Sequence, residues 1–163
     1  MREAWSRRLA LPAGVPASLP VVTTGITHGL SLAADLFTGP DVPVILGAPY
    51  WDNYEMIFTM RTGAPLVTYP FFGADRRFNL TGLAERLAAA TGPAVVLLNF
   101  PSNPPGYSPY PDEVEALVAL LAAHPRPLCV VCDDAYTGLF FDPALYRRSM
   151  FGALASALDP RRA

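Results

Sequence analysis

Ala94-Val95-Val96-Leu97-Leu98-Asn99-Phe100 runs directly into Pro101-Ser102-Asn103-Pro104-Pro105-Gly106. The fold is decided at this junction. The first half is an almost unbroken apolar run, the pattern of a strand covered on both faces. The second half is a loop stiffened by prolines and a glycine, which leaves Asn103 little freedom. Such an Asn can stabilise a turn, or it can present its amide to a ligand oxygen.

Outward from this junction, strand-like and helix-like segments alternate. On the N-terminal side, Val21–Thr24 is a short β-branched run ending at Gly25. Thr27–Phe37 carries Leu30, Ala33, Ala34 and Phe37 at helical spacing and stops at Gly39-Pro40. Val42–Leu46 reads as a buried strand. Asp52 can cap a helix running to about Arg61, with Gly63 just past its end. Leu66–Tyr69 is the next strand, and Thr81 opens a helix with Leu83, Leu87 and Ala90 on one face. On the C-terminal side, Pro111 starts a helix with Val114, Leu117, Val118 and Leu121 facing inward. Leu128–Cys132 is a further buried strand, and 143–163 reads as helical and then basic. This alternation predicts an α/β fold, three-layer α/β/α with a mostly parallel sheet.

The chain has 163 residues, the size of one domain. Residues 1–18 read as a lead-in, and 19–163 as one partial domain. Twelve basic and fourteen acidic residues leave a net charge of −2, which carries no nucleic-acid signal. All of the basic residues are arginine; the sequence contains no lysine. Charged residues are 16 % of the chain, against about 25 % for an ordinary soluble domain. The mean hydropathy is +0.27. Pro, Gly, Asn, Arg or Asp break every apolar run well short of the roughly 20 residues a membrane span needs. The composition predicts a piece whose surface is normally covered by more protein. No secretory signal is expected from the first residues.

Cys129 and Cys132 are spaced like a redox pair, but on a strand residues three apart face opposite ways. They read as small buried hydrophobes in a reducing compartment, the cytoplasm. Neither His28 nor His124 shows metal-ligand spacing.

In a parallel sheet, ligands bind beyond the carboxyl ends of the strands. Four segments qualify. Thr24-Gly25-Ile26-Thr27-His28-Gly29 places a helix N-terminus where free N–H groups favour an anion, although it matches no Gly-rich phosphate fingerprint. Pro49-Tyr50-Trp51-Asp52-Asn53-Tyr54 offers aromatic rings that either cover the sheet or stack on a flat ligand. Asn103 follows the central strand. Asp133-Asp134-Ala135-Tyr136 sets a carboxylate at the sheet's mouth, where it needs a cation, donors or a protonated ligand nitrogen. One of these aspartates reads as solvated or as a helix cap. The set suits a flat, phosphorylated heteroaromatic cofactor, and pyridoxal phosphate fits it. A generic nucleotide-binding domain is the weaker alternative.

The motifs TTGITHGL, PYWDNY, LNFPSNPPG and CDDAYTGL, in this order, resemble the class I/II aminotransferases, the fold-type-I pyridoxal-phosphate enzymes. The resemblance covers about Leu19–Leu154, the central part of the large domain. It implies that Ile26 and Thr27 bind the cofactor phosphate. It implies that Trp51, or less favourably Tyr50, stacks on the ring. Asn103 and Tyr136 would hydrogen-bond the phenolic oxygen, and Asp133 would pair with the ring nitrogen. Asp134 has no cofactor role in the family pattern. The implied substrates are an amino acid and a 2-oxo acid, and the implied assembly is a homodimer. Neither nucleic acid nor membrane is expected as a partner.

Two departures stand out. Pro105 replaces the threonine usual after Asn-Pro. The lysine that the family uses for its Schiff base is absent, so no catalytic residue is assigned in this chain. In the family that lysine lies on a strand after Asp-x-Ala-Tyr, and the sequence ends at Asp159-Pro160-Arg161-Arg162-Ala163 before reaching one. The substrate-binding arginine, a later phosphate-binding arginine and the small domain are not seen either. The expectation is therefore a large-domain fragment of an aminotransferase; a related lyase or decarboxylase fits equally. The alternative is a lysine-free remnant or pyridoxal-phosphate-binding protein.

Overall fold

The computed structural model describes residues 14–126 and 128–158, together with Ala4, Leu9 and Leu11. Most of the expected lead-in and the basic end Arg161-Arg162 lie outside the described residues.

Four strands form one sheet: β1 (Val44–Ala48), β2 (Leu66–Pro70), β3 (Ala94–Asn99) and β4 (Leu128–Asp133). Their order is β2-β1-β3-β4, and every pairing is parallel. Among residues 14–158, the α-helices that pack on the sheet are α1 (Ile26–Phe37), α2 (Leu80–Ala89), α3 (Pro111–Ala123) and α4 (Met150–Ala157). A further helix over 53–62 is π-helical through Glu55–Met60.

Strand alternation builds two cores. Val44, Leu46, Val95 and Leu97 face α1 and the π-helical segment through Leu30, Ala34, Ile57 and Phe58. Ile45, Val96 and Leu98 face the other way, onto Leu83 and Leu87 of α2, Val114, Leu117 and Leu121 of α3, and Met150 and Leu154 of α4. β3 contributes to both cores, which is why its sequence is apolar at every position from Ala94 to Leu98. The three-layer expectation holds.

The chain steps from β1 outward to β2, then back across β1 to β3. Right-handed crossovers in opposite directions demand helices on opposite faces. The π-helical connection and α2 obey this, lying in different cores. A reversal of this kind opens a crevice at the strands' carboxyl ends, between β1 and β3. Gly47 of β1 allows the chain leaving β2 to pass close to it, since a Cβ would sit 2.9 Å from Phe71 Cδ2 and 3.2 Å from its Cα.

Local signals explain the helix ends. Asn79 Oδ1 accepts the Gly82 N–H at 2.9 Å and caps α2. Pro111 occupies the first turn of α3, and Glu113 reaches back to the Tyr110 N–H at 2.8 Å. Ser149 Oγ accepts the Phe151 N–H at 3.0 Å and caps α4.

Three expectations are corrected. Val21–Thr24 forms no strand; Val21 and Val22 are 81 % and 79 % exposed, and β-branching without a neighbour strand does not make a ladder. The helix expected from 143 begins only at Met150, because Asp142 first turns the chain by accepting the Ala144 N–H at 2.8 Å. β4 is only half-buried along its middle, because it stands at the sheet's edge.

Cys129 packs into one core and Cys132 into the other, so they cannot pair within the strand. Burial raises both thiols above their ordinary range and disfavours the thiolate. No helix among the described residues is long and apolar enough to cross a membrane. No group of three or more potential ligands among them could hold a metal ion.

Candidate functional site

Beyond the carboxyl ends of β1, β3 and β4 lies a cleft of about 190 Å³. Its walls are Ile26 and Thr27 from the start of α1, Trp51 and Tyr54 after β1, Asn99 and Asn103 at the end of β3, and Asp133, Ala135 and Tyr136 after β4. Each of the six site residues expected from the sequence lines this cleft. Tyr50 does not: its hydroxyl donates to Glu55 Oε1 at 2.7 Å, and its ring lines a separate hollow.

Asp133 forms the floor. It is 5 % exposed. Oδ1 accepts the Ala135 N–H at 3.1 Å, and Oδ2 accepts the Tyr54 hydroxyl at 2.6 Å. Burial, and then the neighbouring carboxylate of Asp133, push the Tyr54 phenol far above its ordinary range. Tyr54 therefore remains a proton donor at every physiological pH. Trp51 meets the Tyr54 ring edge-on, with centroids 5.5 Å apart, and this contact sets the indole's orientation.

The start of α1 forms the opposite wall. Gly25 is its N-cap and supplies no capping side chain, and no acidic residue occupies the first turn. The N–H groups there are open to an anion. Among the described residues, the Asn103 side-chain amide and the Tyr136 hydroxyl make no hydrogen bond, so both donors remain available to the cleft.

Asp134 turns elsewhere. Its Oδ2 accepts the Ser149 hydroxyl at 2.5 Å and so braces the cap of α4. Burial raises this carboxyl above its ordinary range, opposed by Ser149 and Thr137.

Two cleft residues were not legible as functional from the sequence. Tyr54 stands three positions after Trp51, one turn further along the chain, and that short aromatic spacing is the available signal. Asn99 is the polar residue that ends five apolar positions of a buried strand, and a polar group there must find partners.

A sequence model described as "Aminotransferase class I and II" matches residues 13–158. The chain belongs to this family. It is 31 % identical over 129 residues to a probable N-succinyldiaminopimelate aminotransferase of Mycobacterium tuberculosis, covering 79 % of this chain and 32 % of the relative. It is 33 % identical to an aspartate/prephenate aminotransferase of Cereibacter sphaeroides, covering 83 % of this chain and 36 % of that protein. The crystal structure of an aminotransferase from Anaerococcus prevotii superposes with a TM-score of 0.73 at 24 % identity, over 86 % of this chain and 35 % of that one. The solved N-succinyldiaminopimelate aminotransferase of M. tuberculosis gives 0.67 at 29 % identity, over 80 % and 33 %. The chain thus spans about a third of the length of the aminotransferases it matches.

Class I/II aminotransferases are generally pyridoxal-phosphate enzymes, and the donor set of the cleft suits that cofactor. It offers an uncapped helix start for a phosphate, an indole face, two uncommitted donors and a buried carboxylate.

Proposed function

We propose that residues 19–163 form the cofactor-holding part of the large domain of a pyridoxal-phosphate-dependent aminotransferase, preceded by a lead-in over 1–18. The reaction would move an amino group between an amino acid and a 2-oxo acid. The observation that carries this reading is the convergence of Ile26, Thr27, Trp51, Asn103, Asp133 and Tyr136 on one cleft at the strand ends.

Pyridoxal phosphate, when bound, supplies a protonated ring that withdraws electrons from the substrate's α-carbon. The chain's own residues hold and orient it. The N–H groups of Ile26 and Thr27, with the Thr27 hydroxyl, bind the phosphate at the positive end of α1. Trp51 covers one ring face. Asn103 and Tyr136 donate to the phenolic oxygen. Asp133 accepts the ring N–H and keeps that proton on the nitrogen. Tyr54 and the Ala135 N–H hold the Asp133 carboxylate from two sides, so that it stays aimed into the cleft.

Moving the substrate's α-proton requires a base, which the family supplies as a lysine. None occurs among these 163 residues. A second reading follows from that fact: a lysine-free, non-catalytic remnant that only binds the cofactor. Sequencing the transcript past the Ala163 codon separates the two. A frame that continues to a lysine at the end of a further strand supports the aminotransferase; an immediate stop supports the remnant.

A homodimer in a reducing cytoplasm is the expected setting. Exposed Val21, Val22 and Met60 support a partner surface.

A further inference from the structure

We propose that Asn99 is a positioning residue, a two-ended clamp that fixes Asn103 and Asp133 relative to each other across the ends of β3 and β4. The identity of the held group rests on the cofactor reading above; the clamp itself does not.

Asn99 is the last residue of β3 and pairs in register with Asp133 of β4. By strand alternation Asn99 follows Val95 and Leu97, and Asp133 follows Cys129 and Val131. Both therefore point to the face that carries α1 and Trp51, which is the face of the cleft. The Asn99 amide is committed at both ends. Nδ2 donates to the Asp133 carbonyl oxygen at 3.0 Å, and Oδ1 accepts the Asn103 N–H at 2.8 Å. These partners also fix the amide's orientation, since a flip would set oxygen against oxygen and N–H against N–H.

The loop after β3 is a unit in its own right. Gly106 N–H donates to the Ser102 carbonyl at 2.8 Å, and Tyr107 N–H donates to Ser102 Oγ at 2.9 Å. A rigid loop can still swing as a body. Asn99 ties its Asn103 corner to the strand that carries Asp133. The spacing between a donor to the phenolic oxygen and an acceptor for the ring nitrogen is thereby set before anything binds. Asp at this position keeps the acceptor for Asn103 but sets an oxygen against the Asp133 carbonyl. Ala keeps neither bond.

The test uses the whole 163-residue chain as wild type, N99A, N99D and N103A. Two properties are read: amide hydrogen exchange by NMR, and the dissociation constant for pyridoxal phosphate from quenching of tryptophan fluorescence. In N99A the Asn103 N–H exchanges faster while the Val96 and Leu97 amides stay protected; in N99D the Asn103 N–H stays slow. Both variants bind the cofactor at least about tenfold more weakly, since each breaks at least one end of the clamp. In N99A the pH profile of the bound cofactor's absorbance moves in the same direction as in N103A, which a merely structural residue would not cause. Unchanged exchange at Asn103 in N99A overturns the clamp. So does equal loss of protection across β3 and β4 in N99A and N99D, which would make Asn99 a fold residue. If the wild type binds no pyridoxal phosphate, the cofactor reading fails, and the Asn103 exchange rates alone still decide for or against the clamp.

Discussion

Asp134 has a cost that depends on pH. Its carboxyl is raised by burial in the folded chain, so between the unfolded value, about 3.9, and the folded one the native state binds more protons. Stability therefore falls as pH rises through that window. Below it both states are protonated and the cost disappears. Asn at this position keeps an oxygen for the Ser149 hydroxyl and removes the charge beside Asp133. D134N should melt higher than wild type at pH 7, with the gain vanishing near pH 4. Melts from pH 4 to 8 check this, and a difference independent of pH contradicts it.

At the scale of elements, the junction of α3 with the two loops packed against its start depends on one buried carboxylate. Glu113 is 6 % exposed. It accepts from the Phe78 N–H at 2.9 Å, the Tyr110 N–H at 2.8 Å and the Tyr107 hydroxyl at 2.7 Å, and it lies 3.3 Å from Arg77. E113A strands these donors and should cost about 3 kcal/mol in a urea melt. A loss within about 0.5 kcal/mol would show the junction to be held by packing alone.

The same junction shows what could be read in advance. Pro111 announced the start of α3, and the run Ala94–Leu98 announced a doubly covered strand, because both signals are local. Val21–Thr24 misled because strand formation depends on a neighbour that propensity does not report. The cleft residues with family motifs were legible. Tyr54 and Asn99 were not, because their partner Asp133 is distant in sequence, 79 positions from Tyr54 and 34 from Asn99, and only the folded sheet brings them together.

At the scale of the molecule, the surface carries large apolar side chains: Phe141 is 93 % exposed, Val21 81 %, and Val22 and Met60 79 % each. Where such side chains join into one patch, they mark a surface that other protein covers. The isolated 163-residue chain should self-associate and bind a hydrophobic dye. Light scattering at increasing concentration checks this, and a chain that stays monomeric at every concentration would contradict it.

We propose that this chain holds pyridoxal phosphate in the cleft at the ends of its sheet. Equilibrium dialysis of the chain against pyridoxal phosphate, with D133N and unphosphorylated pyridoxal as controls, tests it most directly. The expected result is saturable binding at one site per chain, weakened about tenfold or more by D133N and again by removal of the phosphate. Binding that does not saturate, or that is the same in D133N, would contradict it.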